Sequence, residues 1–70
     1  MKDKIAKILA DFLGIEPSDL TEDDSLTEDL HMTASDITDF TEALAKSGID
    51  TANLDMTEIE TLEDLYEKYI

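Results

Sequence analysis

Few side chains in this chain can do chemistry. The only histidine is His31 and there is no cysteine, which excludes thiol nucleophiles and thiolate metal sites. No nucleophile–base pairing is evident around His31, so no enzyme is expected. What remains is carboxylate: 19 Asp and Glu against 5 Lys, a formal net charge of −14. Asp36, Asp39 and Glu42, at i, i+3 and i+6, form a carboxylate stripe on the outward side of a predicted helix. Residues 8–45 hold no Lys or Arg, and the cations sit at Lys2, Lys4, Lys7, Lys46 and Lys68. Nucleic-acid binding needs clustered cations and is excluded. The acidic face is either a solvated surface or a docking face for basic partners, and both readings are open.

Acidic loops also invite a calcium reading. Counted from Asp19, Thr21 and Asp23 fall at positions three and five of a calcium loop. Asp24 then stands where Gly is needed at six, and Leu30 where a bidentate Glu is needed at twelve. No metal site of high affinity is expected; weak divalent binding that relieves carboxylate repulsion stays open.

The elements that must position these groups are helical. Ile5, Ile8, Leu9, Phe12 and Leu13 repeat at i, i+3, i+4, i+7 and i+8, which predicts a first helix over about residues 2–13. Gly14 ends it in a left-handed cap, Ile15 is placed to fold back on the last turn, and Pro17 prevents resumption. The connection from Ile15 to Thr33 is long and polar, with one short turn and with Leu20, Leu26 and Leu30 as anchors. Thr33 and Asp36 have capping-box spacing and start a central helix, Ala34 to Lys46, that Ser47-Gly48 stops. Asp55 to Ile59 has room for one or two turns. Thr61 and Asp64 repeat the box and open a last helix with Leu62, Leu65, Tyr66, Tyr69 and Ile70 on its buried side.

The expected fold class is therefore all-α: three main helices and one short one, with a long loop between the first and second. Seventy residues suit a single domain, 1–70, that buries only roughly 60% of its unfolded surface. The amphipathic N-terminus argues against a signal peptide or membrane span, and the expectation is a cytoplasmic monomer. The initiating Met favours a discrete protein over an excised domain.

In element order, size and acidity the chain resembles the acyl carrier proteins over nearly its whole length. The resemblance rests on Ile8-Leu9-Ala-Asp-Phe12-Leu13-Gly14-Ile15 with Pro17 following, on Asp24-Ser25-Leu26 and Glu28-Asp29-Leu30, on Ala43-Leu44, and on Ile59-Glu-Thr61-Leu62. It implies a signature Glu-Asp-Leu-Gly-x-Asp-Ser-Leu, whose serine carries a 4′-phosphopantetheine arm that holds acyl intermediates as thioesters. This chain departs from it at the decisive position. Ala34 stands where the serine belongs, Thr33 where Asp is frequent, and His31 where Gly is usual. An alanine methyl offers no nucleophilic oxygen. Ser35 follows one residue late, and placing it in the serine's register would put Asp39 on a buried position and misplace Phe40 and Leu44. One residue also turns a helical side chain by about 100°, so Ser35 is a secondary candidate for attachment.

Two accounts of Ala34 stand: an engineered serine-to-alanine form held in its unmodified state, or a natural carrier-like protein that has lost its arm. The first is preferred because every other element fits a working carrier. The resemblance implies 4′-phosphopantetheine in a serine-bearing parent and no cofactor in this chain. It also implies, as partners, a phosphopantetheinyl transferase and acyl-transfer or synthase enzymes whose basic patches meet Asp36, Asp39 and Glu42, with Met32 as a further contact. Phe40, Leu44, Leu54, Met56, Ile59 and Leu62 are candidates to line an acyl crevice, or simply to form the core. The competing class is a non-catalytic acidic interaction module that never carried an arm.

Overall fold

The computed structural model describes residues 1–69. Its elements are α1 (Lys2–Leu13), α2 (Ala34–Lys46) and α3 (Leu62–Glu67), with single 3-10 turns at Pro17–Asp19 and Met56–Glu58. This is the all-α architecture expected, with α1 and α2 bounded where the sequence patterns place them. Ile70, expected on the buried side of the last helix, lies outside the described residues.

Each helix forms for a local reason. The apolar stripe of α1 buries Ile5, Leu9 and Ala10. Gly14 ends it at φ 75°, a left-handed conformation that costs a glycine little. The N–H groups of Gly14 and Ile15 both donate to the carbonyl of Ala10, the latter at 2.9 Å. Ile15 does not fold back as expected; it remains 38% exposed, so backbone bonds close the cap without its side chain. Phe12 sits at the edge of the stripe and meets the Phe40 ring at 6.1 Å between centroids, tilted by 49°.

α3 has only six residues, too few to be stable alone. Thr61 caps it: its hydroxyl accepts the Asp64 N–H at 3.3 Å, and the Asp64 carboxylate accepts the N–H groups of Thr61 and Glu60, each at 3.1 Å. The two backbone donors, Thr61's first, hold the Asp64 carboxyl below the usual aspartate range. The stability this contributes is complete above the unfolded aspartate value and is lost as pH falls through the lowered folded value.

The long connection is held by its backbone as well as by side chains. Of the three expected anchors, Leu26 is fully buried, and Leu20 and Leu30 are half-buried against the core. Ser25 and Thr61 also form an antiparallel bridge. The Leu26 N–H donates to the Glu60 carbonyl (3.0 Å), the Leu62 N–H to that of Asp24 (3.0 Å) and the Glu63 N–H to that of Glu22 (2.9 Å). A segment that reads as loop is thus stitched to the start of α3. Lys2 adds a third strut, pairing with Glu22 while its ammonium sits 5.2 Å from the centre of the Tyr66 ring. Tyr66 is buried, and burial together with nearby Asp3 pushes its phenol pKa up.

Every part of the chain sends side chains into one core. Ile5 and Leu9 meet Leu26 and Met32 from the connection, Phe40 and Leu44 from α2, Ile49, Ile59, and Leu62, Leu65 and Tyr66 from the last segment. Against this core stands the charge of −14. Among the described residues only Lys2–Glu22 and Lys68–Glu58 form ion pairs. The molecule measures 26 × 22 × 21 Å, less than the screening length of about 30 Å at 0.01 M salt, so every carboxylate then feels the others. Raising salt to about 1 M shortens that length to about 3 Å. The melting temperature is expected to rise by several degrees, since about 1 kcal/mol moves it by about 4–8 °C at this size. Thermal melts by circular dichroism across that range check this, and a flat response would sink the repulsion account.

Candidate functional site

The candidate site is built from the turn that leads into α2. Ser25 starts it: the Asp29 carboxylate accepts the Ser25 N–H at 2.7 Å, and the Ser25 hydroxyl accepts the Glu28 N–H at 3.2 Å. The Ser25 carbonyl takes the N–H groups of both Asp29 and Leu30 at 3.0 Å. Asp29 therefore closes a turn, which explains the acidic residue in Glu28-Asp29-Leu30. The chain then reverses at His31, the one described non-glycine residue with positive φ, at 57°.

An L-residue in that conformation costs about 1–2 kcal/mol. His31→Gly removes the strain but gives the unfolded chain more freedom, which offsets about 0.4–1 kcal/mol. The variant is expected to be more stable by up to about 1 kcal/mol, read as a higher denaturant midpoint at unchanged slope. A lower midpoint would show that the histidine side chain holds the turn.

Thr33 is the N-cap of α2. Its hydroxyl accepts the Asp36 N–H at 3.2 Å, and the Asp36 carboxylate accepts the Thr33 N–H at 2.9 Å. Ala34 follows as the first residue of α2, exposed. Beside it lies an open cleft of about 320 Å³ lined by Ala34, Ile37, Thr38, Met56 and Thr57. The spacing 34, 37, 38 is one helical face, and the opposite wall is the 3-10 turn after Asp55. Asp55 holds that turn in place, its carboxylate accepting the Thr57 hydroxyl and, at 3.0 Å, the Thr57 N–H. Those two bonds, the hydroxyl's first, keep the Asp55 carboxyl below its ordinary range.

Ser35 is exposed but does not line the cleft. At i, i+4 and i+7 it shares a face with Asp39 and Glu42, both exposed. Asp36 stands apart from them, half-buried, with its carboxylate engaged in the cap. The acidic face of α2 is therefore Asp39 and Glu42 beside Ser35, in place of the expected Asp36, Asp39 and Glu42 stripe.

Met32, expected at a partner surface, is a correction. It is 3% exposed and belongs to the core, with its N–H on the Leu26 carbonyl at 3.0 Å. The turn at His31 swings the chain so that Met32 faces inward. The six crevice candidates separate as well. Phe40, Leu44, Ile59 and Leu62 are buried in the core. Met56 lines the cleft beside Ala34, while Leu54 lines a second cleft of about 310 Å³ with Asp50, Asn53, Lys68 and Tyr69. There the Tyr69 hydroxyl donates to the Asp50 carbonyl at 2.9 Å, and burial and Asp50 raise its pKa. Ile37, Thr38 and Thr57 were not among the candidates. The first two could have been found, since they stand three and four residues after Ala34.

No group of three or more His, Cys, Asp or Glu side chains among the described residues is arranged to hold a metal ion. No helix of the described chain is long and apolar enough to cross a membrane. In comparison with known families, residues 3–68 match the model described as phosphopantetheine attachment site. No curated protein matches the chain significantly.

Proposed function

The chain belongs to the phosphopantetheine-attachment family of carrier proteins, which are non-catalytic, and from that premise we propose that it is an acyl carrier scaffold blocked at Ala34. The carrier role follows from the family; the acyl cargo and the block are our reading. What carries the reading is the geometry at the top of α2. Ala34 is exposed, begins the helix behind an intact capping box, and borders an open, partly apolar cleft.

The residues present do not fit covalent attachment of a phosphopantetheine arm. Ala34 presents a methyl group. The Thr33 hydroxyl is held in the cap and the Thr38 hydroxyl donates to the Ala34 carbonyl at 3.2 Å. Ser35 carries a hydroxyl, but on the face of Asp39 and Glu42 and away from the cleft. In a serine-bearing counterpart the arm would leave from position 34 and its cargo would meet Ile37 and Met56 first. The partners of such a scaffold are phosphopantetheinyl transferases and synthase or acyl-transfer enzymes, met through Asp39 and Glu42.

The test is modification by a broad-specificity phosphopantetheinyl transferase with coenzyme A, comparing this chain with Ala34→Ser by intact mass. Modification of the variant alone supports the reading. If neither reacts, the acidic interaction module takes its place.

A further inference from the structure

We propose that Leu26 is a clasp: its backbone ties the two walls of the cleft beside Ala34 to one another and sets how far that cleft can open. The inference goes beyond the carrier reading, because it concerns how the cleft is held and not what is attached at its edge.

One wall is the start of α2 and the other is the turn Met56–Glu58. Among the described residues no hydrogen bond or ion pair joins α2 to the segment 50–61. What faces across the cleft is Ile37 on one side and Met56 on the other, and apolar attraction has no preferred direction. The other polar ties of the second wall run away from α2. The Asp50 carbonyl accepts the Tyr69 hydroxyl and Glu58 pairs with Lys68, both at the end of the last segment.

Leu26 supplies the missing link. Its N–H donates to the Glu60 carbonyl at 3.0 Å, just beyond the second wall, and its carbonyl accepts the Met32 N–H at 3.0 Å, just before Ala34. A single residue thus reaches both walls through the two ends of its own backbone. Its side chain is 1% exposed in the core, which keeps the hub from drifting. Neighbouring bonds brace it: Leu62 N–H to the Asp24 carbonyl, Glu63 N–H to that of Glu22, and Ser25 N–H to the Asp29 carboxylate at 2.7 Å. Phe40 and Leu44 of α2 are fully buried, and a packed interior does not yield space. An occupant larger than the present 320 Å³ therefore needs the second wall to move outward, and that movement must part the bonds of Leu26.

The test locks the clasp with a disulfide, which no other thiol disturbs because the chain has no cysteine. The bonds Leu26–Glu60 and Leu62–Asp24 flank the Ser25–Thr61 pair, and no backbone bond joins those two directly. In such a pair the Cα atoms lie about 4.5 Å apart, within the range of about 4.4–6.8 Å that a disulfide spans. Ser25→Cys with Thr61→Cys is studied oxidised and reduced, so loss of the two capping hydroxyls is common to both forms. Opening is read by NMR relaxation dispersion, which reports microsecond-to-millisecond exchange. In the reduced variant the Met56 and Ile37 methyls are expected to exchange. Oxidation is expected to lower the open population at least about tenfold while leaving the Ile5 and Leu9 methyls of α1 unchanged. Exchange at Met56 that survives oxidation, or that is absent from the reduced form, overturns the clasp. Equal quenching at Ile5 and Leu9 overturns it as well, since the disulfide would then act on the whole fold. Should the variant not fold, the unsubstituted chain decides: the Leu26 and Met32 amides and the Met56 methyl are expected to share one exchange rate. Distinct rates would show that the walls move without the clasp. Modification of Ala34→Ser bears on the carrier reading alone, so the two ideas fail separately.

Discussion

Ala34→Ser is expected to change this chain from one that takes no phosphopantetheinyl group to one that takes one per molecule, while Ser35 stays unmodified in both. The expected effect is all or none because, on the proposed reading, the change supplies the nucleophilic oxygen that Ala34 lacks. Position 34 is solvent-exposed, begins α2 and borders the cleft walled by Ile37 and Met56. A hydroxyl there would stand exposed on the first turn of α2, with the capping bonds of Thr33 and Asp36 unchanged. Ser35 is also exposed, so accessibility does not separate the two; direction does. About 100° of rotation places Ser35 with Asp39 and Glu42, and an anionic coenzyme approaching that face meets two carboxylates. Intact mass before and after incubation shows the count, and digestion of the modified variant shows the residue. Arm found on Ser35 would mean that helix register does not govern attachment.

The sequence made α1 and α2 legible for different reasons. In α1 the apolar period and Gly14 mark both the face and the end. In α2 the Thr33–Asp36 box fixes the start by bonds between residues three apart, and such local rules can be read without the fold. The bridge between Ser25 and Thr61 links residues 36 positions apart, and nothing in the composition of either segment announces it. Met32 turns into the core and not toward a partner, and its direction follows from the positive φ of His31, which the local pattern does not show. That conformation is unexpected for histidine, although the usual glycine at this position of the resembling family hints at it. In the sequence Asp36 suits both a cap and a docking face, and in the structure its carboxylate sits in the cap. One carboxylate bonded to the Thr33 N–H and half-buried does not serve a partner as a free one would. Leu54 and Met56 are two residues apart, yet they line different clefts, because the Asp55-capped turn begins between them and redirects the chain.

Phe40→Ala is expected to unfold much of the population, and Met56→Ala to leave it folded. Phe40 is fully buried, at the contact of α1 and α2, and its ring packs against Phe12. Truncating a buried phenylalanine costs about 3–5 kcal/mol. A domain of this length has about 4–10 kcal/mol in total, and strong like-charge repulsion puts this one toward the lower end. The melting temperature should fall by at least about 12 °C, with loss of helical circular dichroism near room temperature if the starting stability is low. Met56 is half-buried at the wall of the open cleft, and its truncation removes surface that water already reaches in part, a loss of about 1 kcal/mol. The pair distinguishes the two roles proposed for the apolar residues after Ala34. If Phe40→Ala keeps a melt close to that of the unsubstituted chain, then Phe40 borders a space that adjusts to what fills it, as a crevice wall would. If it collapses as expected while Met56→Ala does not, the space open to a cargo starts at Ile37 and Met56. Phe40, Leu44 and Leu62 would then be the floor that must stay packed for α2 to present position 34 at all.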